Sequence, residues 1–262
     1  MTSWLRTALL SGVLGYRALF AWSTPGLFVA SLVLAPVLQL VFFLSLGSSL
    51  RYGDPEFFVV GNAIQVSAAA GVSGLVSVIA DERRFGTLSV ILGSPGSAVA
   101  VFVGRLIPGV VLGTSVSVMT GLVGLAFTGS GTTLAGSLFF VLTAVVAASS
   151  CSALGLALSA LGLVYRDIYQ VATAAYLALL VFSGSNVDRA DIPPVVRWIG
   201  DLLPTTHAIE AARGVLAGGS AGAAAPLLLA ELGVGVAWGA AALIGMRILA
   251  HRARVLARVE LF

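Results

Sequence analysis

No lysine occurs anywhere in these 262 residues; all 14 cationic side chains are arginine. That excludes a phosphate-binding loop of the G-x-x-x-x-G-K-[ST] kind, whose lysine contacts the nucleotide phosphates, so the chain does not hydrolyse ATP by that route. Cysteine is almost absent as well. Cys151 stands alone in an apolar run, which leaves no intrachain disulfide and no cysteine-based metal site, and it reads as a small packing residue. The two histidines, His207 and His251, are too few and too far apart for a metal site. Charge is scarce too: 10% of the residues are charged against 58% hydrophobic, too few to cover a soluble globule of this size, so the chain is an integral membrane protein. The N-terminus lacks the short apolar core and small-residue cleavage site of a signal peptide, and the first span is expected to be retained. The net charge is only +3, and most arginines flank apolar runs. That pattern points to membrane orientation and away from nucleic-acid binding.

What is there is a series of apolar runs. Residues 2–22 place Leu5, Leu9, Gly12, Val13, Tyr16, Leu19 and Phe20 on one helical face and Arg6, Thr7, Ser11 and Arg17 on the other, the pattern of an amphipathic helix on the membrane surface. Spans are expected at 26–47, 57–80, 98–127, 134–164, 169–183 and 221–250. At about 1.5 Å per residue each crosses a hydrocarbon core of about 30 Å, the fifth only just. The expected fold is all-α, with six transmembrane helices in a single transmembrane domain over 1–262 and no soluble domain left over. Pro36 should kink the first span, and Arg105 near the start of the third can snorkel to the headgroups. Gln39, Asn62 and Gln65 give the first two spans a polar character suited to neighbouring helices or a substrate pathway, while the serines of the second span simply permit close packing. Glu231 is the only acid well inside a span, which makes a partner or a functional role the default. Arg213 or hydroxyls near 192–218 are its expected partners, a depth within reach of headgroup water being the alternative.

The densest block of charge in the first two thirds of the chain is Asp81-Glu82-Arg83-Arg84-Phe85-Gly86-Thr87-Leu88, running on to Leu92 and closed by Gly93 and Pro95. Asp81 and Glu82 suit a helix N-terminus, so a single short helix over 81–92 is expected, with Phe85, Leu88, Ile91 and Leu92 on one face. A second informative region runs from 192 to 218. Pro193-Pro194 can open a short helix, Pro204 interrupts it, and Thr205 or Thr206 caps a second piece through Glu210, Arg213 and Leu216 that Gly218-Gly219 stop. Neither piece can span, so they read as a re-entrant or interfacial hairpin.

The run "DERRFGTLSVILGSPGS" resembles the first cytoplasmic loop of type 2 ATP-binding-cassette (ABC) exporter permeases, and "LLPTTHAIEAARGVLAG" is similar to the segment before their last span. The resemblance implies that 81–92 is a cytoplasmic coupling helix, that Asp81 to Leu88 contact the ATPase, and that the hairpin with Pro193, Pro204, Glu210 and Arg213 closes the outer mouth. It further implies a non-catalytic permease subunit in the lipid bilayer, paired with a second permease, identical or paralogous, and with two ABC ATPase subunits. ATP and magnesium would be bound there, with no cofactor on this chain. Hydrophobic small molecules (drugs, polyketides) or lipids are the first expectation for the substrate, with polysaccharide or glycolipid as the alternative.

Arginine placement agrees. With both termini cytoplasmic, Arg6, Arg17, Arg83, Arg84, Arg105, Arg166, Arg247, Arg252, Arg254 and Arg258 are inside and only Arg51, Arg189, Arg197 and Arg213 outside. The expected location is a bacterial cell membrane, as the resemblance and the Arg-, Ala- and Gly-rich, lysine-free composition suggest. An ion-coupled secondary transporter would call for paired intramembrane charges or inverted repeats, and neither is evident. Gly71-Val72-Ser73-Gly74 matches the G-x-S-G of rhomboid proteases, but neither histidine is placed to serve Ser73 as a base. From the missing lysine we expect the purified chain alone to bind no ATP in equilibrium dialysis, while a partner ATPase hydrolyses it faster in its presence.

Overall fold

The computed structural model describes residues 3–21, 25–94, 97–129, 131–163, 165 and 168–255, apart from the side chains of 3, 18–21, 25, 27–32, 250 and 252–255. Leu19, Phe20, Pro95, Arg166, Arg252, Arg254 and Arg258, on which expectations above rest, lie outside the described side chains.

Among the described residues the fold is all-helical. Helix α1 (Ser3–Ala21) precedes α2 (Pro25–Leu50), which carries Pro36 inside it. Asp54-Pro55 then starts α3 (Pro55–Gln65), with proline in the first turn where its missing N–H costs nothing. A π-helical segment, Ala69–Ser73, joins α3 to α4 (Gly74–Arg84). After α5 (Leu88–Gly93), Ser97 caps α6 (Ala98–Gly104) by accepting from the Ala100 N–H, and α7 (Leu106–Thr128) follows after a single turn at Arg105. Thr133 caps α8 (Leu134–Leu161), and α9 (Ile168–Phe182) comes next. The 192–218 region folds as α10 (Pro194–Asp201) and α11 (Thr206–Leu216), and α12 (Ala221–Val255) ends the described chain.

Among the described residues five stretches are long and apolar enough to cross a membrane: Val33–Leu50, Pro55–Arg84, Ala98–Thr128, Leu134–Leu161 and Ala221–Leu249. Helix α9 has 15 residues, roughly 22 Å at about 1.5 Å per residue, and so falls short of a hydrocarbon core of about 30 Å. The chain is a multi-pass membrane protein with five such stretches where six were expected.

Packing divides the bundle into two ends. At the end holding the α4–α5 turn, Ile79, Leu88, Leu92, Phe102, Leu163 and Met246 form one cluster. At the hairpin end Val60, Ile64, Phe140, Ala208, Ile209 and Ala212 form another. Between them α8 lies against both the π-helical segment and α12, and glycine makes that approach possible. A Cβ added at Gly155 would lie 2.3 Å from the Gly71 carbonyl oxygen, and one at Gly71 would lie 2.7 Å from the Cys151 Cβ. Helix α1 is held the same way: a Cβ on Gly104 would lie 2.0 Å from the Ala8 carbonyl oxygen, and Ser11 Oγ donates to the Val101 carbonyl at 2.7 Å.

The expected single helix over 81–92 is not formed. Asp81 to Arg84 are the last turn of α4, Phe85 is its C-cap, and Gly86 turns left-handed at φ +72°. The Gly86 N–H donates to the Arg83 carbonyl and the Thr87 N–H to the Glu82 carbonyl, which is a Schellman ending. Arg83 and Arg84 suit the negative end of the helix dipole, and this outweighs the N-terminal preference of Asp81 and Glu82. Phe85 consequently leaves the face of Leu88 and Leu92: it is 53% exposed while they are buried.

The Gly71–Gly155 crossing makes a direct test. Because the clash is with backbone, Gly155→Ala should cost about 1–3 kcal/mol, read as a lower melting temperature by size-exclusion of heated, detergent-solubilised protein. Gly233→Ala, whose Cβ would meet nothing within 4 Å, should melt as the parent does.

Candidate functional site

Two groups of functional candidates sit at opposite ends of the bundle. At the α4–α5 end, Arg83 donates to the Leu163 carbonyl at 2.8 Å and to the Tyr165 carbonyl at 3.2 Å, just beyond the end of α8. Glu82 pairs with Arg105 at 2.9 Å and also accepts from the Thr87 hydroxyl. Asp81 accepts from the Tyr169 hydroxyl at 2.9 Å. Three elements thus hold the turn: α8 through Arg83, α9 through Tyr169, and the α6–α7 junction through Arg105. What the turn presents outward is Arg84, Phe85, Gly86 and Thr87, all exposed. Beside it lies a cavity of about 510 Å³ lined by Gly15, Ser77, Asp81, Glu82, Arg105 and Leu112 among others. Arg105, expected to reach headgroups, is turned instead to Glu82.

At the other end Arg213 reaches back from α11. It donates to the carbonyls of Gly184 at 2.8 Å, Ser185 at 2.7 Å and Phe57 at 2.9 Å, and its guanidinium stacks 3.5 Å from the centroid of the Phe57 ring. It therefore caps the end of α9 and clasps the start of α3. A Cβ on Gly61 would lie 2.1 Å from the Ser185 carbonyl oxygen that Arg213 binds and 2.5 Å from the guanidinium, which is why glycine stands there. Glu231 is fully buried on α12 and is not partnered by Arg213; its two carboxyl oxygens accept from the backbone N–H groups of Thr205 at 2.9 Å and Ala208 at 3.3 Å. Thr205, at φ +77°, makes no side-chain cap, and neither does Thr206, which donates to the Gly200 carbonyl. Alongside, Arg189 pairs with Asp201 and, at 3.6 Å, with Glu210. Burial pushes the His207 imidazole below its ordinary pKa despite Asp201 at 3.9 Å, so it is neutral at neutral pH. Pro193 sits at the N-cap of α10, and Pro204 is buried between α10 and α11.

The polar side chains of the spans join these elements to one another. Tyr176 donates to Gln39 at 2.7 Å, Gln39 to Asn62 at 3.1 Å, and Asn62 to Asn186 at 2.8 Å. Gln65 accepts from Ser183 and from Thr205, each at 3.3 Å. Asn62, Gln65 and Glu231 are completely enclosed, whereas Gln39 faces a cavity of about 240 Å³ with Pro36, Ala69, Ala70 and Tyr176. Tyr169, Tyr176, Ser183 and Asn186 were not anticipated, because each acts on a residue more than 80 positions away and no local spacing marks them.

A family model described as "ABC-2 type transporter" matches residues 13–217, which take in both the charged turn and the hairpin. The chain belongs to this family. No curated protein matches it significantly. It is thus the membrane-spanning permease component of an ABC transporter, a component that works with an ATPase. The match runs from α1 through α11, so α12 with Glu231 lies beyond it.

Arg213 is the permease residue with most to lose. Arg213→Ala strands the buried carbonyls of Phe57, Gly184 and Ser185, and should destabilise by at least about 2 kcal/mol, read as a drop in melting temperature. Arg213→Lys should recover little of it, since a point charge cannot replace a planar fork on three acceptors.

Proposed function

We propose that this permease exports a hydrophobic small molecule or a lipid, and that the α4–α5 turn is where the ATPase takes hold. In this reading α9 is the fifth of six crossings, both termini are cytoplasmic, and the hairpin faces outward. Two permeases, identical or paralogous, pair with two ATPase subunits that bind ATP and magnesium.

The observation that carries this reading is the exposed ring of Phe85 on a turn that is itself held from three sides. A large apolar side chain at the tip of a turn buries a sizeable area when a soluble domain docks, about 1.5–3 kcal/mol if fully covered. The ties through Arg83, Asp81 and Glu82 then deliver a push on that tip to α8, α9 and the α6–α7 junction. The distribution of arginine supports placing this turn in the cytoplasm. For the substrate class, a cavity of about 350 Å³ near the hairpin end is walled mainly by apolar side chains, Phe43, Leu46, Leu50 and Phe58 among them. That suits a hydrophobic ligand better than a sugar chain, which needs dense hydrogen bonding.

Phe85→Ala should weaken capture of the ATPase by the tagged permease about tenfold or more and reduce ATP-driven uptake of a hydrophobic fluorescent dye into inside-out vesicles in step. Arg84→Ala, an exposed charge in high dielectric, should do so far less. If both variants capture ATPase and move dye like the parent, the turn is not the docking point.

A further inference from the structure

The N–H groups at the start of a helix are left without intrahelical partners, and in an apolar bundle water cannot supply them. Helix α11 has this problem acutely. Its first turn is buried at Thr205, Thr206 and Ala208, and its own N-cap residue points the wrong way. The partner comes from another helix: Glu231 of α12, placed 26 residues on in sequence, accepts from both Thr205 and Ala208. The α12 backbone at Glu231 is fixed in turn, since its carbonyl accepts from Ser150 Oγ of α8 at 3.1 Å, and a Cβ on neighbouring Gly235 would lie 2.6 Å from that same hydroxyl.

We infer that Glu231 is a positioning residue that clamps the hairpin to the α8–α12 pair, acting through the N-terminus of α11, and that it does not contact transported substrate. A substrate ligand would have to displace backbone donors from an enclosed carboxyl group whose two oxygens are both engaged. As a clamp, by contrast, the geometry is complete: a carboxyl group at the open N–H end of a helix, with a backbone donor aimed at each of its two oxygens. The opposite end of α11 is held by Arg213 to α3 and the α9 terminus, so the short helix ties two halves of the bundle, and Glu231 is the tie on the α12 side. That the clamped hairpin closes the outer mouth rests on the function proposed above; the clamp itself does not.

The test reads hairpin release directly, with the full chain purified into lipid nanodiscs so that neither orientation nor transport enters. Cys151→Ala removes the one native thiol and with it only the 4.0 Å contact to Ser67 Oγ, which keeps its own bond to the Ile64 carbonyl. In that background Ala212→Cys places a thiol beneath α11, in the buried cluster at the hairpin end, and Ala242→Cys places one in the cluster at the far end of α12 as a control. Reaction with a water-soluble maleimide should be about tenfold faster at Ala212→Cys in Glu231→Gln than in the parent. Glu231→Asp, which keeps the carboxyl group but is one methylene short, should fall between the two. Ala242→Cys should stay protected in all three. Equal rates at Ala212→Cys would show that the carboxylate does not hold the hairpin. A parallel rise at Ala242→Cys would show that Glu231 supports the whole bundle rather than this helix. A Glu231→Asp variant as reactive as Glu231→Gln would remove the role of the carboxyl group. Each of these outcomes overturns the inference. Dye export by the ATPase complex is a separate measurement, and its failure would count against the proposed function while leaving the clamp standing.

Discussion

Each place where a helix breaks inside an apolar bundle leaves backbone groups that lipid cannot satisfy, and this permease answers with charged side chains. Arg83 covers carbonyls beyond the end of α8, Arg213 covers those beyond the end of α9 together with Phe57, and Glu231 covers the N–H groups that open α11. For Arg213 and Glu231 the hydrogen bonds among the described residues go to backbone groups. Burying an ion pair in low dielectric gains little once both partners are desolvated, whereas an unmet backbone group in hydrocarbon is costly outright. A chain with so few charges therefore places them at helix ends. The Glu82–Arg105 pair is partly exposed, with side-chain exposures of 17% and 21%, so its Coulombic gain is screened and its use is geometric, fixing the α4–α5 turn against the α6–α7 junction.

Small residues set the other constraint. Without a hydrophobic drive between helices in lipid, association relies on close contact. The chain meets this along α8, where Gly155 lies on Gly71 and Ser150 on Gly235. Close approach thus runs from the π-helical segment through α8 to α12. The hairpin is fastened to this line through Glu231, and at its other end to α3 and the end of α9.

Much of this was legible from the sequence. Apolar runs match five long helical stretches, because length and hydropathy are local properties, while the run at 169–183 forms a helix of only 15 residues. The two short helices around Pro204 form where the prolines predict them, whereas the stretch 81–92 is a helix end and a turn in place of the expected single helix. The misreadings share a cause. The Asp81-Glu82 pair reads as a helix start under a rule about local charge, yet Arg83, Arg84 and Gly86 in the same stretch are an equally local helix stop, and the apolar run leading into them decides between the two. The partners of Arg105 and Glu231 were missed for a different reason. Arg105 meets Glu82 across 23 residues and Glu231 meets Thr205 across 26, separations that only the helix arrangement determines. A donor on the backbone, moreover, has no letter in the sequence. Thr205 supplies its N–H and not its hydroxyl to Glu231, so no scan for polar side chains could have pointed there.

The second long helix shows why periodicity stops short of function here. An α-helix advances about 100° per residue, so the wider turn of the π-helical segment Ala69–Ser73 shifts every later side chain around the axis relative to the earlier ones. Before it, α3 packs on α2, α7 and α11; after it, α4 packs on α8 and α9. A single apolar stripe drawn from Pro55 to Arg84 would thus put half of the contacts on the wrong side. The shift also places Ala70 where it borders both the cavity beside the α4–α5 turn and the one holding Gln39 and Tyr176. The segment that redirects the helix therefore separates the space nearest the exposed turn from the space nearest the polar side chains of the first and fifth hydrophobic helices. Any movement of the turn along α4 must pass through the one stretch of that helix whose hydrogen bonding is not regular.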